Sequence, residues 1–452
     1  ALNFNSFVQM NAKVPSYSTL SGRILQCLII LACVFGGSTH AQKGIGFDIK
    51  PFRKEAIFRD DDKIGYNLRF RNNTKEKIRG TIKAKVMNYK GEEVFNQEMG
   101  FTMDAKKGYM KDLYLENDKT KAGFYQLQLM VAANNYVDTL NFGYGVDPEK
   151  VYSNVNRPAD FDQFWDDARR ELVNIDPKFR VTRRGDQSTR DVDVFLVEFQ
   201  SLEYQTIRGW LSVPKRKGKF AVIYELPGYL QDMRPDSLRT DMAVFRVNVR
   251  GHGNSKDNTN ADFNTFNIIN LNDRNKYIYR AVYMDALRGL DFLYRHDYLK
   301  LDLKKVIVKG EGQGGVLAAV VASLDNRPQG CIIERPVYTD MRTLFFMAGS
   351  QKVTPWPVAN FQAYIKNPRN RLNQDALFKN WDFFDPVNFA PNIRCRVLFG
   401  HNQKNTMCPP QAAIALYNQI RIDNRNIYMS LDDNGMDHVY YSYESFWMKK
   451  IL

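Results

Sequence analysis

The segment VIVKGEGQGG, Val306 to Gly315, constrains this chain more than any other, because it runs directly into the apolar stretch Val316 to Val321. A β-branched run, a glycine-rich bend and an apolar helical stretch predict strand, tight turn and helix. Two kinds of fold use such a unit. In one, small residues allow a sharp bend that lifts an apex side chain above a sheet, as in the nucleophile elbow G-x-S-x-G. In the other, Gly310, Gly312 and Gly315 satisfy G-x-G-x-x-G and cradle a dinucleotide, with Glu334 about 20 residues on. Both require an α/β sheet, and the segment alone does not choose between them.

The surrounding sequence has the texture of such a sheet. Strand-like apolar runs occur at Phe220 to Leu226, Ala243 to Val249, Gly330 to Glu334, Val397 to Gly400 and Ile427 to Leu431. Helical stretches lie at Phe161 to Val173, with Asp160 as a candidate cap, at Tyr277 to His296 and at Gln313 to Leu324. Alternating strands and helices predict a mostly parallel sheet with ligands at the carboxyl ends of its strands. From Gly44 to Asp147 the pattern differs. Tyr66, Leu68 and Phe70 alternate with polar residues, as do Ile82, Ala84 and Val86, and Tyr125, Leu127 and Leu129. Turn signals at Asn72-Asn73, Asn88 to Gly91 and Asn134-Asn135 separate these runs. That is the pattern of an all-β sandwich, with an immunoglobulin-like form expected. The expected division is therefore a signal region over residues 1–41, a β-sandwich over 42–150 and an α/β domain over 151–452.

The signal region rests on Arg23, the apolar run Ile24 to Phe35 and the small-residue stretch Gly36 to Ala41. These have the order of an export signal with cleavage after Ala41, and Met10 offers a start site. The apolar run is too short to span a bilayer. Ile30 to Cys33 has a weak lipobox character that would lipidate Cys33. The formal net charge is +14 over 452 residues. No Lys/Arg block concentrates it, so a solvated basic surface is expected and nucleic acid is not. Cys331, Cys395 and Cys408 are too few and scattered for a disulfide framework, and no Cys/His cluster suggests a metal. No cofactor is expected.

Several motifs in order resemble the acetyl xylan esterase and cephalosporin C deacetylase family of α/β-hydrolases. They are Pro158 to Trp165, Leu226 to Tyr229, Val249 to Ser255, Tyr279 to Leu293, the Gln313-Gly314-Gly315 bend and Cys408-Pro409-Pro410. The resemblance runs from about Arg157 to His438 and favours the elbow over the dinucleotide loop. It implies an α/β-hydrolase fold. It also places the nucleophile at Gly312, the triad acid at Asn405 and the base at His438. Backbone donors at Tyr229 and Gln313 would form the oxyanion hole. Pro227 stands where the family has histidine, which affects that turn.

Two of the three implied triad positions therefore lack the required chemistry. Glycine carries no attacking oxygen, and losing the nucleophile costs on the order of a million-fold in turnover. An amide in place of the orienting carboxylate costs about ten thousand-fold by holding the wrong histidine tautomer. Other groups are weaker candidates. Gly349-Ser350-Gln351 lies outside any strand–turn–helix pattern. Asp432, Asp433 and Asp437 are possible substitute acids, while Glu311 and His252 are expected to be structural. The expected function is that of an exported, catalytically silent esterase relative that binds an acetylated glycan or an envelope protein. The competing expectation is an active carbohydrate acetyl esterase with a non-standard nucleophile.

Overall fold

The computed structural model describes residues 41–42, 44–59, 61–115, 121–134, 136–257, 259, 262–350, 354–431 and 435–452. The expected signal region, including Cys33, falls outside them apart from Ala41, and so do Asp432 and Asp433.

The first unit is built of β1 (Ala41–Gln42), β2 (Ile45–Pro51), β3 (Ile57–Phe58), β4 (Gly65–Asn72), β5 (Ile78–Asn88), β6 (Glu93–Met103), β7 (Gly108–Tyr114), β8 (Gly123–Ala133) and β9 (Tyr136–Val146). They form a four-stranded sheet, β1-β2-β4-β7, and a five-stranded sheet, β3-β9-β8-β5-β6. The period-two residues explain why the two sheets pack. Tyr66, Leu68 and Phe70 on β4, Ile82, Ala84 and Val86 on β5, and Tyr125, Leu127 and Leu129 on β8 are all buried in one apolar cluster. Burying each large aliphatic side chain contributes roughly 1.5–3 kcal/mol. The turn signal at Asn88 to Gly91 acts as expected: Gly91 closes the β5–β6 hairpin at φ 75°, where a Cβ would be strained.

The second unit runs α1 (Phe161–Val173), β10 (Arg180–Arg183), β11 (Val192–Gln200), β12 (Thr206–Pro214), β13 (Phe220–Leu226), β14 (Ala243–Asn248), α2 (Ile278–Tyr294), β15 (Leu301–Glu311), α3 (Gln313–Leu324), β16 (Gly330–Glu334), α4 (Met341–Ser350), α5 (Val358–Lys366), α6 (Gln374–Trp381), α7 (Pro386–Phe389), β17 (Arg396–Asn402), α8 (Pro410–Gln419), β18 (Arg425–Ser430) and α9 (His438–Ile451). Its sheet has nine strands in the order β10-β11-β12-β14-β13-β15-β16-β17-β18. Pairing is antiparallel from β10 to β14 and parallel from there to β18. This is the expected α/β-hydrolase architecture, a mostly parallel sheet flanked by helices and preceded by a β-rich unit.

One local expectation needs correction. Asp160 precedes α1, but its side chain makes no capping bond. It pairs with Arg274 at 3.2 Å instead.

The two units meet along the loop between β17 and α8, and along α8 itself. Phe124, Val151 and Ile414 form a small shared core. Phe124 N–H donates to Gln411 Oε1 at 3.0 Å, and Asn418 Nδ2 donates to the carbonyls of Pro148 and Val151 at 2.9 and 2.8 Å. Gly143 lies so close to this loop that a Cβ there would stand 2.8 Å from the Gln403 carbonyl oxygen. Among the described residues no helix is long and apolar enough to cross a membrane.

Candidate functional site

The bend after β15 is built by glycines of two different kinds. A Cβ on Gly310 would lie 2.2 Å from the Gly314 backbone, one on Gly314 would lie 2.3 Å from Leu226 O, and one on Gly315 would lie 2.8 Å from Glu334 O. Those three are required by close packing of α3 on the sheet. Gly312 is different, because a Cβ there would meet nothing within 4 Å. Its backbone is the constraint, at φ 60° and ψ −118°, which L side chains rarely adopt. Hydrogen bonds hold this apex. Gly312 N–H donates to Glu334 O at 2.9 Å, and Gly312 O accepts from Val316 N–H at 3.3 Å and Val337 N–H at 3.4 Å.

Gln313 opens α3, so its N–H belongs to the first turn, which has no intrahelical acceptors and carries the positive end of the helix dipole. Its buried side chain ties three elements together. Gln313 Oε1 accepts from Tyr279 Oη of α2 at 2.6 Å, and Nε2 donates to His252 Nε2 at 2.9 Å and to Pro227 O at 3.4 Å. His252 Nε2 also accepts from Leu230 N–H at 2.9 Å, while Nδ1 faces Arg250 O at 3.0 Å. The imidazole is thus a neutral Nδ1–H tautomer, and burial pushes its pKa down to about 4. His252 fastens the Pro227–Leu230 turn to the start of α3, in agreement with a structural part. Arg250 beside it is locked by the buried carboxylate of Asp285, through Nε at 2.8 Å and Nη2 at 2.9 Å.

Aromatic side chains wall this region. The Tyr229 ring packs on Trp356 at 4.6 Å and on Phe263 at 5.2 Å, and Trp356 packs on Tyr338 at 5.2 Å. This wall was not anticipated from sequence, because Trp356 and Tyr338 lie in irregular segments with no periodic signal. The tyrosine-rich helix α2 was, and Tyr279 does reach the bend.

The structure does not bring the other expected residues into hydrogen-bond contact with one another. Asn405 is bound within its own loop: Oδ1 accepts from Cys408 N–H at 2.9 Å, and Nδ2 donates to Asn402 Oδ1 at 3.0 Å. His438 opens α9, is exposed, and its ring makes no hydrogen bond to any described residue. Asp437 does not orient that ring. Its carboxylate accepts from Tyr440 N–H at 2.8 Å, Tyr428 Oη at 2.8 Å and Ser430 Oγ at 3.0 Å, and so caps α9. Glu311 pairs with Arg335. Cys408 is buried and its thiol is pushed up to about 12, which leaves no thiolate near neutrality. No group of His, Cys, Asp and Glu that could hold a metal exists among the described residues.

With the bend, its donors and its aromatic wall in view, likeness to known proteins becomes interpretable. Residues 146–451 match the acetyl xylan esterase (AXE1) family. The chain is 25% identical over 349 residues to the acetyl esterase Axe7A of Xylanibacter ruminicola, covering 73% of this chain and 75% of that one. In fold it is similar to an acetyl xylan esterase from Paenibacillus sp. R4, with a TM-score of 0.60 and 22% identity over 68% of this chain and 98% of the other. Acetyl xylan esterase 1 from Thermoanaerobacterium sp. JW/SL YS485 gives a TM-score of 0.60 and 21% identity over 67% and 97%. The family match spans the whole α/β unit, including the bend, so this chain belongs to the acetyl xylan esterase (AXE1) family.

Proposed function

We propose that this protein is an exported, acetyl-xylan-esterase-like protein that has lost ester hydrolysis and works by binding a glycan or a protein partner of the cell envelope. The observation that carries the reading is Gly312, a residue without a side chain at the strained apex of a strand–turn–helix bend. In this reading Gly312 occupies the nucleophile position, Asn405 the acid position and His438 the base position. The geometry around them supports it. The Asn405 amide is spent on its own loop, and the exposed His438 ring has no orienting partner among the described residues. A histidine that is not held in one tautomer is a poor general base even where a nucleophile is present. The helix start at Gln313 and the turn at Tyr229 would still bind a carbonyl or anionic oxygen through backbone N–H groups. The β-rich unit over 42–150 serves as a binding or spacing module, and residues up to Ala41 are removed on export.

The alternative, an active carbohydrate acetyl esterase with a non-standard nucleophile, draws its support from the likeness to a protein named as an acetyl esterase. Steady-state hydrolysis of 4-nitrophenyl acetate and of acetylated xylo-oligosaccharide separates the two. No more than trace turnover is expected. A rate within a hundred-fold of an ordinary family esterase, abolished by His438→Ala, would establish the alternative.

A further inference from the structure

Where the five-stranded sheet overhangs the loop after β17, the two units enclose a cavity of about 460 Å³. Strand register decides its first wall. Ala84, Val86, Leu127 and Leu129 point into the sandwich core, so their strand neighbours Lys85, Met87, Gln126 and Gln128 point out of the opposite face. Lys85 lies directly across from Gln128, and Met87 from Gln126, so the four make one continuous patch. Tyr89 extends it from the following turn. The facing wall is the loop that carries Gln403, Asn405 and Thr406.

The chemistry of these walls is specific. Among the described lining residues Lys85 is the one that carries a charge, and Glu93 pairs with it at 2.7 Å. An ionic ligand would find no uncompensated charge among the described residues. The remaining polar groups are mostly side-chain amides, set among aromatic and thioether surface. Gln403 is 3% exposed, its Nε2 donates to Glu55 O, and its Oε1 has no hydrogen-bond donor among the described residues.

We propose that this cleft binds a neutral, hydroxyl-rich saccharide chain. The Gln126 and Gln128 amides pair with sugar hydroxyls, and the Tyr89 ring packs against a sugar C–H face. The inference rests on the glycan-binding reading above and gives the glycan a place apart from Gly312. Because both units supply walls, occupancy also holds them together across the Asn405 loop.

Isothermal titration of the full chain with xylohexaose, cellohexaose and mannohexaose tests this, with hexagalacturonate as the anionic control. At least one neutral hexasaccharide should bind. Its affinity should fall at least tenfold in Gln126→Ala/Gln128→Ala and vanish in Gln128→Trp, which fills the cleft from a position outside the core. Absence of neutral-sugar binding, or preference for hexagalacturonate, overturns the inference. Loss of binding in Gly312→Arg with the cleft variants unaffected also overturns it, while leaving the glycan-binding reading intact. Catalytic silence is judged separately, by the turnover assay.

Discussion

At Gly312 the backbone takes φ 60° and ψ −118° with open space where a Cβ would stand. A serine there therefore meets no steric obstacle and pays only the conformational cost, about 1–3 kcal/mol. Glycine removes that cost, so a chain released from the need for a nucleophile gains stability by this replacement. Gly312→Ser should lower the melting temperature by a few degrees. It should restore little hydrolysis alone, because Asn405 remains an amide bound to Cys408 N–H and Asn402. Gly312→Ser with Asn405→Asp should recover more than either single change, since triad members act as a unit. A melting temperature unchanged by Gly312→Ser, measured by calorimetry, would show that the apex conformation carries no strain.

The loop from β17 into α8 is the element on which the site and the domain contact both depend. His401, buried at the end of β17, donates from Nε2 to Cys408 O at 3.1 Å and closes the loop from inside. Burial pushes its pKa down to about 3, against about 6.5 in an unfolded chain. The folded state thus binds its proton less readily than the unfolded state does. Its contribution is fully present above pH 6.5 and is lost as pH falls from there toward the folded value. His401→Gln keeps a donor for Cys408 O but does not titrate. The variant should be less stable than the parent at pH 7.5, and the gap should shrink or reverse at pH 5 in matched thermal melts. A gap independent of pH would mean that His401 is not buried as the neutral imidazole.

Legibility from sequence also varied by element. The buried parallel strands β13 and β16 match their apolar runs residue for residue, and so does the buried helix α3, because burial on all sides leaves an unbroken apolar signal, while α1 matches its stretch through the helical spacing of Phe161, Phe164, Trp165, Ala168 and Leu172. The antiparallel strands β10, β11 and β12 escaped. On β11 buried and half-buried positions alternate, and charged residues such as Asp193 and Glu198 interrupt the run. Helices α4 to α6 escaped as well, because their stretches are short and carry no clear period, although Asn373 caps α6. At the site, the bend and the existence of helix α2 were readable from local pattern. The Trp356–Tyr229–Tyr338 wall and the His252–Gln313 contact were not, since each joins segments far apart in sequence and depends on how the sheet brings them together.

At the scale of the whole molecule, the chain is an esterase-family sheet with a β-rich unit seated on the loop that carries Asn405. Phe124, Gln403, Gln411 and Asn418 join the units, so the sandwich touches the site region as well as its own neighbours in sequence. The central claim is that this arrangement persists without a reactive serine. Intact-protein mass after incubation with a serine-directed phosphonate tests it most directly, because labelling requires an activated hydroxyl and no knowledge of the natural ligand. The wild-type chain should keep its unmodified mass, while Gly312→Ser with Asn405→Asp should gain a single adduct. A stoichiometric adduct on a serine of the wild-type chain would contradict the account.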